Sequence, residues 1–468
     1  MQKKRLITAA ILTILCAALA FAPMNGLDPA GKGVLLVFLW AILMWIVRPI
    51  PEYLVGVLAA AILAIFFGQK ANVVSGFATS GWWLCLWAGF IGSVIKFSGL
   101  GERVAYWILV KLTKSELSAN YATSLANTVL SLMIPSNTAR GAVMSPICDN
   151  ICDGMGYKRG EHKGDAAIML SNLYTNTTNT WLFYTAVGAN AIGMALVEEM
   201  TGQSISWTGW LKATCIPAGI IVLLIPLITN FLFGTRKGEK RSIDIEFAKK
   251  KLEEMGPLTV KEKKAAIYFA LTLLAFCTNG IHHVAPDYVV FVTIFLMLCP
   301  GIGVCSFKDV GPNFAWPAFI QLGFAMSLAS CVNKTGGFQW LVDAMFTTNP
   351  AFSAMDPTLF ITIWLAFVVV SHIIFAGMNA MEAVLVPVSM TMAAALGFDV
   401  YTMGLLTVMA IAPSANFLPF NSAPNLIYAS TDRFSTAQQL KGAIVIAVLV
   451  IIGFVFLVNV WFPVIGIL

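Results

Sequence analysis

Apolar runs near residues 6–23, 34–48, 53–68, 82–98, 210–233, 265–281, 287–303, 316–331 and 441–467 divide the chain. A helix needs roughly 17 to 25 apolar residues to cross the hydrocarbon core of a bilayer, so these runs predict transmembrane helices. Between them lie two less regular apolar blocks, 121–199 and 358–431, interrupted by polar residues and prolines. The charged stretch 236–264 separates the two sets and reads as a solvated connector, with Phe247 to Glu254 as a candidate surface helix.

Composition turns the pattern into a class. Hydrophobic side chains make up 58% of the 468 residues and charged ones 11%, against about 25% charged in a soluble domain. The expectation is an all-α integral membrane protein of about 11 spans, with the lipid bilayer as its partner. The net charge of +6 is concentrated in 236–264, which holds ten Lys/Arg against six Asp/Glu. That surplus is topological, because short basic loops stay in the cytoplasm, and no nucleic-acid partner follows from it. Lys3, Lys4 and Arg5 place the amino terminus on the cytoplasmic side of a cell membrane, and an odd number of later crossings would put the carboxyl end outside. The start, basic and then Ala-rich around Ala18 and Ala20, also resembles a signal peptide; in a multispanning chain it is read as uncleaved. Nine scattered cysteines show no disulfide or zinc spacing, and four histidines form no HExxH. No metal and no cofactor are expected.

Three pairs of landmarks recur in the same order. Ser98-Gly99-Leu100-Gly101 before Trp107 matches Thr335-Gly336-Gly337-Phe338 before Trp340. Ser136-Asn137-Thr138-Ala139-Arg140, ten residues before Pro146, matches Gly377-Met378-Asn379-Ala380-Met381, ten residues before Pro387. Gly188-Ala189-Asn190-Ala191 matches Ala423-Pro424-Asn425-Leu426. The offsets are 237, 241 and 235 residues, close to half the chain length, and a common offset argues for duplication. The resulting division is a first repeat over 1–235, with a hairpin at about 121–157 and a broken helix at about 165–199; a linker over 236–264; and a second repeat over 265–468, with a hairpin at about 358–398 and a broken helix at about 402–431.

The breaks carry the chemistry. Backbone groups freed at membrane depth cannot face lipid, so they are buried in protein or line a wet cavity. A re-entrant hairpin with its tip at Ser136, Asn137 and Thr138 satisfies this, and it aims helix N-terminal N–H groups at an anion. Asn137 and Thr138 add donors, and the Asn137 oxygen is a candidate sodium ligand; the bland reading is a simple N-cap. The second tip, Gly377-Met378-Asn379, keeps an amide but has Met378 where Asn137 stands. Asn421-Ser422-Ala423-Pro424-Asn425 loses an N–H at Pro424 and reads as an unwound helix; the polar run Thr175 to Thr180 ahead of Gly188 is assigned to an aqueous cavity. Arg140 and Glu382 are charges embedded in apolar sequence and count as functional by default. Arg140 could neutralise an anion without sodium, and Glu382 could pair with a base or relay a proton. Arg48, Glu52, Lys96 and His372 are placed at helix ends or read as snorkelling to the interface.

With these residues in hand, the chain resembles the divalent anion:sodium symporter family over nearly its whole length. Ser136-Asn137-Thr138 matches the family's first signature, and Ala139-Arg140-Gly141 looks most like its exchanger branch. The resemblance implies two inverted repeats, a dimerising scaffold, a transport domain with two hairpins, and an elevator-like shift. It implies exchange of C4/C5 dicarboxylates such as malate, succinate, fumarate and 2-oxoglutarate by a homodimer, with sodium-coupled di/tricarboxylate symport as the alternative. The second Ser-Asn-Thr signature is absent. The substrate-binding candidates are then Ser136, Asn137, Thr138, Arg140, Gly188, Gly377, Asn379, Ser422, Ala423, Pro424 and Asn425. No catalytic residue is expected, since an intramembrane enzyme would need paired acids or a nucleophile with its base and no such set appears.

Overall fold

The computed structural model describes residues 2–162, 164–235, 244–344, 355–375 and 377–466. Ala376 of the second tip, the 236–243 part of the linker and the end of the last apolar run lie outside these. Among the described residues the regular structure is helical, with no strand.

In the first part of the chain the helices are α1 (Gln2–Leu19), α2 (Pro29–Val47), α3 (Glu52–Phe66), α4 (Ser80–Ser98), α5 (Leu100–Leu112), α6 (Glu116–Met133), α7 (Asn137–Gly154), α8 (Gly164–Leu182), α9 (Gly188–Thr201) and α10 (Trp207–Phe233). After them come α11 (Glu246–Met255), α12 (Val260–Cys277), α13 (Pro286–Leu298), α14 (Trp316–Lys334), α15 (Gly337–Val342), α16 (Pro357–Ser371), α17 (Met378–Leu396), α18 (Val400–Ile411), α19 (Ala423–Ala429) and α20 (Thr436–Phe456). Their starts follow local chemistry. Ser136, Ser206, Thr259 and Ser435 cap α7, α10, α12 and α20 by accepting a backbone N–H three residues on, which satisfies donors that a helix start leaves orphaned. The surface helix expected within the linker is α11.

Among the described residues, four helices are long and apolar enough to cross a membrane: α2, α10, α17 and the continuous stretch Thr436–Ile465. The pair α4 and α5 passes the same test together, bent by 65°. The bend falls at Gly99, whose φ of 81° is left-handed and open to glycine at no steric cost.

The chain folds into two compact units that interleave in sequence. One comprises 1–86, 191–204 and 315–411. In it Ser327 Oγ accepts the Gly76 N–H at 2.9 Å, Trp82 Nε1 donates to Phe319 O at 3.0 Å, and Trp364 Nε1 donates to Thr407 Oγ1 at 2.9 Å. The other comprises 87–190, 205–314 and 412–468 and is built around α8. Every residue of α8 from Gly164 to Leu182 is buried, polar ones included. The expectation that Thr175 to Thr180 line an aqueous cavity is therefore corrected. Thr175 donates to Ser124, Thr177 donates to Asn416 Oδ1 at 2.7 Å, and Asn179 Oδ1 accepts from Thr128 at 3.2 Å. These bonds tie the buried run to α6 and to the break at Asn416, partners of the kind a polar side chain takes from neighbouring segments when it is buried.

Candidate functional site

Helices α6 and α7 form a hairpin broken at Ile134, Pro135 and Ser136. Pro135 offers no N–H to a helix, and Ser136 sits in extended backbone with its Oγ capping Ala139 N–H at 3.2 Å. The first turn of α7 thus begins at Asn137 and Thr138. Asn137 is 7% exposed, while Ser136, Thr138 and Ala139 are half-buried and form the accessible part of the tip.

Arg140 fastens this tip from behind. Its side chain is fully buried. Nε donates to Asn176 Oδ1 at 3.0 Å, Nη1 to Ile134 O at 2.8 Å and Ala186 O at 2.5 Å, and Nη2 to Asn176 O at 3.0 Å. Four of the five guanidinium N–H groups are thereby spent on neutral oxygens. Asn176 completes the link by donating from Nδ2 to Asn137 O at 2.8 Å. Arg140 therefore ties together the end of α6, the middle of α8 and the stretch before α9, and no acid among the described residues forms an ion pair with it. The sequence showed the charge but gave no sign that its donors are taken, nor that Asn176 is their partner.

Two helix breaks lie in the same unit. Between α8 and α9, Asn190 Nδ2 donates to Thr180 O at 2.7 Å and to Tyr184 O at 3.1 Å. Between α18 and α19, Asn425 Nδ2 donates to Ala415 O and to Leu418 O, both at 2.8 Å, while its Oδ1 accepts from Ser422 Oγ at 2.9 Å. The unwound stretch is 412–422, so Pro424 begins α19 at its second position and does not itself unwind a helix; there its missing N–H costs nothing. Ala423 is exposed at this start, whereas the Asn425 side chain is buried. Helix α19 packs on α7 at Gly141, where a Cβ would lie 3.3 Å from Tyr428 and 3.5 Å from Pro424. The starts of α7 and α19, with Gly188 half-buried at the start of α9, are so assembled in one unit.

Gly377 and Asn379 belong to the other unit, at the half-buried start of α17, with Met378 buried. Arg48, expected only to end α2, does end it in a left-handed conformation (φ 52°) and pairs with Glu52 at 2.6 Å. It also approaches this tip: a Cβ on Gly377 would lie 3.8 Å from Arg48 Nη2. A cavity of about 830 Å³ in this unit is lined by Arg5, Arg48, Glu52, Tyr53 and Gln321. Among the described residues no group of three or more His, Cys, Asp or Glu could hold a metal.

The sequence profile described as the sodium:sulfate symporter transmembrane region matches residues 2–468. The chain belongs to this family. It is a multi-pass membrane transporter and not an enzyme. Among its relatives is the Escherichia coli inner membrane protein YbhI, 27% identical over 435 residues, which cover 89% of this chain and 88% of that one. The L-tartrate/succinate antiporter of Shigella sonnei is 26% identical over 468 residues, 92% of each chain. The crystal structure of the Alcanivorax borkumensis YdaH transporter is similar in fold, with a TM-score of 0.61 at 13% identity over 92% of this chain and 98% of that one.

Proposed function

We propose that this transporter exchanges C4/C5 dicarboxylates such as malate, succinate, fumarate and 2-oxoglutarate across the cell membrane by an elevator-like shift, as a homodimer with its amino terminus in the cytoplasm. The observation that carries the reading is Arg140, a buried guanidinium with no acidic partner, set directly behind the helix start at Ser136, Asn137 and Thr138. A fixed positive charge and a helix N-terminus both favour a carboxylate. Thr138 meets it from the first turn of α7 and Ser136 from the cap before it, and Ser422, Ala423, Pro424 and Asn425 frame the start of α19; Gly188 admits the backbone of α9. Gly377 and Asn379 are assigned the same role at their own tip. The relatives' activity as a tartrate/succinate antiporter supports the substrate class.

Arg140 also supports exchange without sodium. Its Nη1 occupies Ile134 O and Ala186 O, carbonyl oxygens freed by the breaks and of the kind a hard cation would take. Moving this charge uncompensated through an apolar surround costs at least about 2.5–3.5 kcal/mol on insertion scales, so the empty carrier is held back and the loaded one crosses. Sodium-coupled symport is the second reading, favoured by the family's description, with Asn137 as the sodium ligand. Radiolabelled malate uptake into proteoliposomes decides between them. Exchange requires internal dicarboxylate and persists in choline; strict sodium dependence with no need of internal substrate would restore the symporter.

A further inference from the structure

Glu382 has no place in that reading, and its surroundings are unusual. It lies in the second turn of α17, its side chain fully buried, and neither carboxylate oxygen has a hydrogen-bond partner among the described residues. The carboxyl fills a notch made by a missing side chain: a Cβ on Gly193 of α9 would overlap Glu382 Oε2 and Val408 of α18. All three residues belong to one unit.

No charge answers it from the elements packed around it. Helix α17 has no other titratable side chain, and α15 has none. On α18 the sole titratable group is Tyr401, seven residues before Val408. On α14 the titratable groups are Cys331 and Lys334, and Lys334 Nζ reaches Asn72 Oδ1 at 3.2 Å. On α9 Glu198 is exposed, and Glu199 accepts the Ser330 hydroxyl at 2.6 Å. His372, after α16, faces Ile411 O with its Nδ1 at 3.1 Å. An ionised carboxylate without partner or water is one of the costliest groups to bury, and such a group neutralises by taking a proton.

We propose that Glu382 is a proton-binding site of the transport cycle, protonated while its carboxyl fills the Gly193 notch and exchanging that proton with water when the carboxyl leaves it. The step balances simply: the O–H bond of the carboxyl breaks, the proton passes to a water molecule as hydronium, and the carboxylate remains hydrated; return reverses it. A deprotonated Glu382 cannot re-enter the notch, so turnover needs a proton at one point of each cycle. This rests on the dicarboxylate reading above for its substrate.

The test uses proteoliposomes of the full chain and radiolabelled fumarate, whose carboxyls stay ionised between about pH 6 and pH 8. Expected is an uptake that falls up to about tenfold per pH unit on the alkaline side. The isosteric Glu382→Gln variant is expected to carry fumarate with a flat pH profile. Infrared difference spectra of the purified protein provide a readout independent of transport: a protonated-carboxyl band present at neutral pH in the native protein and absent in Glu382→Gln. A native uptake independent of pH, or no such band, would overturn this inference and leave the exchanger standing. Absence of any fumarate uptake would instead sink the dicarboxylate reading.

Discussion

Asn190 and Asn425 share two bonds at breaks 235 residues apart: each donates its amide to the carbonyls ten and seven residues upstream, the second of these longer at Asn190 (Phe183 O, 3.4 Å), which also reaches Tyr184 O at 3.1 Å. A side-chain amide carries two N–H donors, and here both serve to close an unwound turn.

Asn425→Asp keeps the shape and removes both donors, leaving Ala415 O and Leu418 O unpaired in a buried site. The expected cost is about 1–3 kcal/mol, read as a lower midpoint in thermal unfolding of the detergent-purified protein. Asn190→Asp should fall by a similar amount. An unchanged midpoint in both would mean that other contacts hold the breaks.

Arg140→Lys separates charge from geometry. A lysine keeps the positive charge but offers one ammonium in place of a planar fork bound to Ile134, Asn176 and Ala186. If the fork sets the tip, Arg140→Lys loses dicarboxylate exchange nearly as fully as Arg140→Ala. Near-native exchange by the lysine variant would reduce the role to charge alone.

Thr138→Ala removes a half-buried hydroxyl at the tip, while Ser136 still caps the helix. Loss of a hydrogen bond to a charged group costs about 1.5–3 kcal/mol, which is roughly ten- to a hundredfold in KM. Unfolding should be unaffected. A native KM would take the hydroxyl out of the site.

The Arg103–Glu262 pair sits ahead of the apolar part of α12. Burial opposes ionisation of Glu262, but the Arg103 guanidinium at 2.6 Å and the Thr259 N–H outweigh it and hold the carboxyl below its ordinary range. A depressed carboxylate contributes stability above the unfolded value of about 4.3 and loses it as pH falls through the folded one. The native protein should therefore exceed Glu262→Gln in unfolding midpoint at neutral pH, and the gap should close under acid. A gap independent of pH would assign the effect to packing.

Much of the architecture could be read from the chain because hydrophobicity is a local property. Apolar runs predicted helices, the polar interruption predicted a hairpin tip at Ser136 to Thr138 where the structure breaks at Ile134 to Ser136 and already has Asn137 in α7, and residues 2–468 matched one family throughout. Ser136, Asn137 and Thr138 stood out because favoured capping residues in apolar sequence have few other reasons to be there.

What each buried polar group touches was not legible. Thr175 to Thr180 has the composition of a wet cavity but is buried, and Ser124, Thr128 and Asn416 arrive from elsewhere in the unit to bond Thr175, Asn179 and Thr177. Arg140 announced a charge, while its four carbonyl partners come from three separate stretches. Gly193 looked like any small residue, yet its missing side chain makes room for Glu382. A backbone or side-chain polar group buried from lipid must find a partner, and water, a ligand or a distant residue leaves the same local sequence. The sequence determined where such groups occur along the chain; only the tertiary packing decided which of them are already satisfied and which stand open.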